Sequence, residues 1–152
     1  MSTRATIIIQ DSDSKAIFYR HSDGYPKLCG AELVRFVQGY YSGAMRKNVF
    51  QSSGWLIVAG HKEYLDPAEG GSGKFTGVAT MEDRYGGWKV GAYEIADSIG
   101  MGEEFVYIID LEKCTLTCRI PNSAYWDKPT LKNTTACKEF PTVSFARLEV
   151  VA

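Results

Sequence analysis

Runs of β-branched and apolar residues open and close the chain, and a helical period stands out once between them. Thr3 to Gln10 is β-branched and apolar, which predicts a strand. Asp11-Ser12-Asp13-Ser14 predicts a turn, and Ala16 to Arg20 resumes the strand pattern, giving an N-terminal hairpin. Asp23-Gly24-Tyr25-Pro26 predicts a second turn, because Gly tolerates positive φ and Pro fixes its own. From Lys27 to Tyr41, residues Gly30, Leu33, Val34, Val37, Tyr40 and Tyr41 recur at helical spacing, while Glu32, Arg35 and Gln38 fall elsewhere. This is the one main helix expected. Trp55 to Ala59 is a short apolar run that predicts a central strand.

Asp66 to Lys74, DPAEGGSGK, predicts a loop. It is not a phosphate loop, because Ala68 and Phe75 stand where that pattern needs Gly and Ser or Thr. Lys89 to Ala96, Glu104 to Leu111 and Cys114 to Ile120 predict three successive strands, with a short helical turn over Ala92 to Ser98 as the alternative for part of the first. Pro121 to Ala136 is polar and irregular, with Trp126 expected on the surface or in a lid. Val143 to Val151 alternates again and predicts a closing strand. The expected architecture is α+β: an antiparallel sheet of about six or seven strands, one main helix packed on it, and long loops. No internal repeat or linker divides residues 1–152, so a single domain is expected.

At 152 residues the chain buries enough surface, about 70% of that of its unfolded form, to fold without a metal or a disulfide. A net charge of −1 argues against binding to a nucleic-acid backbone and against a strongly acidic nucleic-acid mimic. No apolar run reaches the about 20 residues of a membrane span, and Thr6-Ile7-Ile8-Ile9 is too short for the core of a signal peptide. A cytoplasmic location is therefore expected. The four cysteines, Cys29, Cys114, Cys118 and Cys137, contain no Cys-x-x-Cys. On one strand Cys114 and Cys118 would lie about 13 Å apart, too far for a mutual disulfide. With His21 and His61 the only histidines, buried apolar cysteines are favoured over a zinc site. No metal or cofactor is called for.

Polar chemistry gathers at the hairpin end. Alternation puts Arg4, Thr6, Ile8 and Gln10 on one face of the first strand and Thr3, Ala5, Ile7 and Ile9 on the other. The hairpin brings Ser2 to Arg4 close to Arg20, His21 and Asp23. A hydroxyl, two guanidiniums, an imidazole and a carboxylate are then neighbours. Read structurally, Asp23 bonds turn amides, caps the helix or pairs with an arginine, and Tyr25 packs on the helix. Read as a binding site, Arg4, Arg20, His21, Asp23 and Tyr25 form a pocket for a phosphate or carboxylate ligand. Tyr25, Trp88 and Trp126 would stack a base or sugar, and His61 with the glycine loop would close over it. A third reading takes Ser2 as an N-terminal nucleophile after loss of Met1, its α-amine serving as base. A Ser-His-Asp site is disfavoured: His21, Ser22 and Asp23 are adjacent and point apart, and Ser72 lacks a Gly-x-Ser-x-Gly setting.

The stretch Ser2-Thr3-Arg4-Ala5 followed by His21-x-Asp23-Gly24-Tyr25-Pro26 resembles small proteins of tailed phages and phage-derived islands. It covers the first quarter of the chain. That resemblance implies a phage-type accessory protein acting by binding, in counter-defence, on a host defence protein or on a small anionic ligand such as a nucleotide signal. Over about 25 residues the same start, with Arg20 and Asp23, is similar to the choloylglycine-hydrolase branch of N-terminal nucleophile amidases, although those begin with cysteine and are longer. That likeness implies Ser2-dependent amide hydrolysis as the alternative. An inhibitor of a protein partner, anchored by Tyr125 and Trp126, is a further alternative. Homo-oligomerisation stays open.

Overall fold

Strands β1 (Ala5–Gln10) and β2 (Lys15–Arg20) pair antiparallel, with Ala5 opposite Arg20 and Gln10 opposite Lys15. Asp11 shapes the turn between them: its Oδ1 accepts hydrogen bonds from the Asp13 and Ser14 amides at 2.8 and 2.7 Å. The computed structural model describes residues 3–65, 93–100, 102–122 and 130–145. Within them, strands β3 (Glu94–Ala96), β4 (Phe105–Asp110), β5 (Thr115–Pro121), β6 (Thr134–Ala136) and β7 (Val143–Ser144) complete one sheet in the order β3-β2-β1-β4-β5-β6, with β7 also against β5.

The sheet is mixed, which corrects the antiparallel expectation. β1 runs parallel to β4, Ala5 opposite Phe105 and Gln10 opposite Asp110. A parallel pair needs a crossover connection, and the chain between β1 and β4 supplies one that carries helices. Being central, β1 is covered on both faces, and Ala5 through Ile9 are all buried. That is why its sequence is a continuous apolar run rather than an alternating one.

Two helices, not one, lie on the sheet. Tyr25 accepts backbone hydrogen bonds from Leu28 and Cys29, opening a π-helical turn at Pro26–Gly30 that leads into α1 (Ala31–Tyr41). Leu33, Phe36, Val37 and Tyr40 give α1 its buried stripe. The second helix, α2 (Val49–Leu65), contains Trp55 to Ala59, so the central strand expected there is corrected to helix. Asn48 starts it: its Oδ1 accepts the Phe50 and Gln51 amides at 2.9 and 3.2 Å, as an N-cap does. Val49, Ser52 and Leu56 then face the sheet at helical spacing. The main core lies between the helices and the face of the sheet carrying Ala5, Ile7, Ile9, Phe18, Tyr107, Ile109 and Leu116. The opposite face carries a smaller cluster of Ile8, Ile99 and Val106. Among the described residues no helix is long and apolar enough to cross a membrane.

Pro121 to Ala136, expected to be irregular, holds a turn of 3-10 helix (Leu131–Asn133) and β6; Trp126 lies outside the described residues. Of the closing strand Val143 to Phe145 falls within them, with β7 at Val143–Ser144, and of Lys89 to Ala96 only Tyr93 to Ala96, where β3 forms in place of the alternative helical turn.

Candidate functional site

Arg20 sits on the helix face of the sheet. Its strand partner Ala5 is small, which leaves space for the guanidinium beneath the first turn of α1. There Arg20 is 3% exposed and forms an ion pair with Glu32. Nη1 also donates to the Tyr93 hydroxyl at 3.0 Å, and that hydroxyl donates to Glu32 Oε2 at 3.0 Å. Nε donates to the Ser22 carbonyl at 2.7 Å. Loss of water is the largest single influence on the Arg20 guanidinium and lowers its pKa. The hydrogen bond to Glu32 and the electrostatic influence of Tyr93, Cys29 and Glu32 together outweigh it, so the guanidinium stays charged. The neighbouring Cys29 thiol is pushed up to about 12 by burial, with Arg20 opposing. Such a thiol is a packing element, not a nucleophile.

Glu32, assigned to the polar side of the helix from spacing, thus lies on its buried side. It is Glu32, not Asp23, that pairs with Arg20. Asp23 instead takes a left-handed backbone conformation, φ 59°. The next residue approaches β1 so closely that a Cβ on Gly24 would lie 2.7 Å from that of Ala5. The Gly24 amide donates to the Thr3 carbonyl at 2.9 Å, and the Tyr107 hydroxyl donates to the Gly24 carbonyl at 2.7 Å. Glycine is required here by space. The Asp23-Gly24-Tyr25-Pro26 element therefore seats α1 on the sheet.

The remaining predicted pocket residues lie elsewhere. Tyr19 is opposite Thr6, so it is on the face away from the helices, and its hydroxyl shares a 2.6 Å hydrogen bond with His21 Nδ1. Arg4 precedes β1 in register with that face and exerts a lowering influence on the Glu103 carboxyl. Desolvation is the larger effect there and raises the Glu103 pKa. Arg4 and His21 thus share one end of the sheet's outer face, and Arg20 lies across the sheet from them. Asp23 and Tyr25 are exposed at the turn. The five residues do not line a common pocket. Ser2, Ser72, Trp88, Tyr125, Trp126 and the loop from Asp66 to Lys74 lie outside the described residues; His61 falls within α2.

A different concavity does form on the helix face, at the β3 edge of the sheet. It has a volume of about 550 Å³. One wall is a single stripe of α2, Phe50, Ser53, Gly54 and Ile57, at the i, i+3, i+4, i+7 spacing of one helix face. The floor is Ala16 and Phe18 of β2 with Ile95, which pairs with Phe18. Lys15 and Asp97 bound it. Phe50 is 77% exposed and Ile95 82%. A Cβ at Gly54 would meet nothing within 4 Å, so the missing side chain opens the groove. Trp55 and Val58 continue the exposed apolar surface of α2 beside it. Among the described residues no cluster of His, Cys, Asp and Glu could hold a metal ion. No family model, curated protein or solved structure matches the chain.

Proposed function

We propose that the chain is a small accessory protein that acts by binding a protein partner, and that an apolar segment of that partner docks in the groove between α2 and β3. The observation that carries this reading is the pairing of Phe50 and Ile95, both large, apolar and mostly exposed, across a concavity floored by Ala16 and Phe18. Large exposed apolar side chains around a recess are the usual anchors of an interface. Capture of a phosphate or nucleotide by paired arginines has less support, because the Arg20 guanidinium is already engaged by Glu32, Tyr93 and the Ser22 carbonyl. The likeness of the first quarter to phage accessory proteins makes a host protein the partner class, with counter-defence as the role.

Gly54→Leu is the direct test. It fills the groove from a position with open space, so it leaves the core untouched. Wild-type protein and three variants are immobilised and exposed to host lysate, and retained proteins are quantified by mass spectrometry. A specific partner should be held by wild type and by Arg4→Ala, and lost about tenfold or more with Gly54→Leu and Phe50→Ser. Equal retention by all four overturns the groove. A nucleotide released from native protein, with binding lost in Arg4→Ala, returns the reading to an anionic ligand.

A further inference from the structure

Cys118 lies on β5 and Cys137 directly follows β6 on the neighbouring strand path. The β5–β6 register pairs Arg119 with Ala136, and one step further sets Cys118 opposite Cys137. The Cys137 amide donates to the Cys118 carbonyl at 3.0 Å, so the two residues stay opposite each other where the β5–β6 ladder ends, and the Cys137 carbonyl turns away to accept from the Phe140 amide. Residues opposite each other across antiparallel strands have Cα atoms about 4.5–5.5 Å apart, inside the window of about 4.4–6.8 Å that a disulfide spans. Both side chains are buried in the same core cluster beside Tyr107, and the Cys137 side chain acts on the Cys118 thiol both electrostatically and by hydrogen bonding. Cys114 is separate: it occupies the β4–β5 turn at φ 54°, and its thiol donates to the Leu111 carbonyl at 3.6 Å.

We infer that Cys118 and Cys137 form a dithiol site that closes to a cross-strand disulfide by exchange with a low-molecular-weight disulfide, fastening β6 to β5. The thiolate of one cysteine attacks a sulfur of the small disulfide, forming a mixed disulfide and expelling one small thiolate. The second cysteine, giving up its proton, attacks the protein sulfur of that mixed disulfide and expels the other. The protein loses two hydrogens and two small thiols are formed, so the exchange balances. Burial pushes the Cys118 thiol up as it does that of Cys29, so it is inert in the closed sheet and the exchange begins when β6 opens. That strand has only three residues and lies at the sheet edge, where local opening costs least. In a reducing medium the site is the dithiol seen here; in an oxidising one it is a staple. This inference does not depend on the groove.

The test incubates the full chain with glutathione disulfide, quenches with acid, and measures intact mass and the number of alkylatable thiols after unfolding. The expected result is a drop of about 2 Da and loss of two thiols, reversed by a reductant. Tryptic mapping should join the Cys114–Arg119 peptide to the Asn133–Lys138 peptide. The same crosslink should form in Cys114→Ser and in Cys29→Ser, and fail in Cys137→Ser, which instead stops at a glutathione adduct. The oxidised form should also melt at a higher temperature, by roughly 5 °C. Retention of four thiols after prolonged exposure, or a bond that uses Cys29 or Cys114, overturns the site. Because the readout is made on wild type, it holds even if a serine variant folds poorly.

Discussion

The two helices pack on the same face of the same sheet, yet they use their apolar residues differently. α1 turns Leu33, Phe36, Val37 and Tyr40 into the core and leaves Arg35 and Gln38 outside. It even buries a charge, Glu32, because Arg20 is there to meet it. α2 turns in Val49, Ser52 and Leu56, but it also carries Phe50, Trp55 and Val58 on its exposed side, around a glycine. A helix that only had to cover the sheet would resemble α1. The surplus apolar side of α2 is what an interaction surface requires.

The comparison breaks most visibly at the anchor of α1. Arg20→Ala leaves Glu32 buried without its partner and is expected to destabilise the protein by about 3–5 kcal/mol in urea unfolding. The double variant Arg20→Met with Glu32→Leu should recover most of that loss, since an apolar pair of similar size removes both charges together. Within α2, adjacent residues separate the two roles. Leu56→Ala should cost about 2–5 kcal/mol, whereas Trp55→Ala should cost well under that, about 0.5 kcal/mol, and affect partner capture instead. Gly54→Ala should stabilise α2 by up to about 1 kcal/mol, since a Cβ there meets open space and glycine is a poor helix former.

Glu103, on the side of the sheet away from both helices, gives a control of smallest size. Its carboxyl pKa is raised above the ordinary 4.5 by desolvation, so the folded state holds its proton more tightly than the unfolded state does. That contribution to stability is complete below pH 4.5 and is lost as pH rises through the folded-state value. Glu103→Gln should therefore gain on wild type as the pH rises from about 4 to 7, by less than any effect above. The same gain should appear in the Gly54→Ala background, because the two sites share no partner.

Much of the sheet was legible in the sequence. β1, β2, β4 and β5 appear where runs of Ile, Val, Thr and Tyr mark them, and the Asp11 and Asp23 turns fall as their chemistry dictates. The parallel pairing of β1 with β4 leaves only an indirect trace: Ile7-Ile8-Ile9 and Ile108-Ile109 are unbroken apolar runs, the mark of strands covered on both faces. Trp55 to Ala59 is ambiguous for a related reason. A five-residue apolar run between glycines has no period of its own, and only Asn48, the cap upstream, shows that a helix has begun. The hairpin itself is legible in the sequence, but the contacts at its end are not. Alternation relates neighbours on one strand. It does not reveal that a glutamate twelve residues on and a tyrosine seventy-three residues on close over Arg20. The groove leaves no trace in the sequence pattern, because its wall belongs to a helix whose apolar run reads as a strand.

The pairing of β1 with β4 also governs when the molecule can fold. Gln10 meets Asp110 across one hundred residues of chain, at the centre of the sheet. Closing so long a loop carries an entropy cost that no local contact offsets in advance, so a folding time of milliseconds to seconds is expected. During synthesis the hairpin of β1 and β2 emerges first and waits with the β4 edge of β1, Ala5 to Ile9, unpaired. Until Phe105–Asp110 leaves the ribosome, the most apolar stretch of the protein is also its open edge, and the nascent chain is most prone to aggregate in that interval.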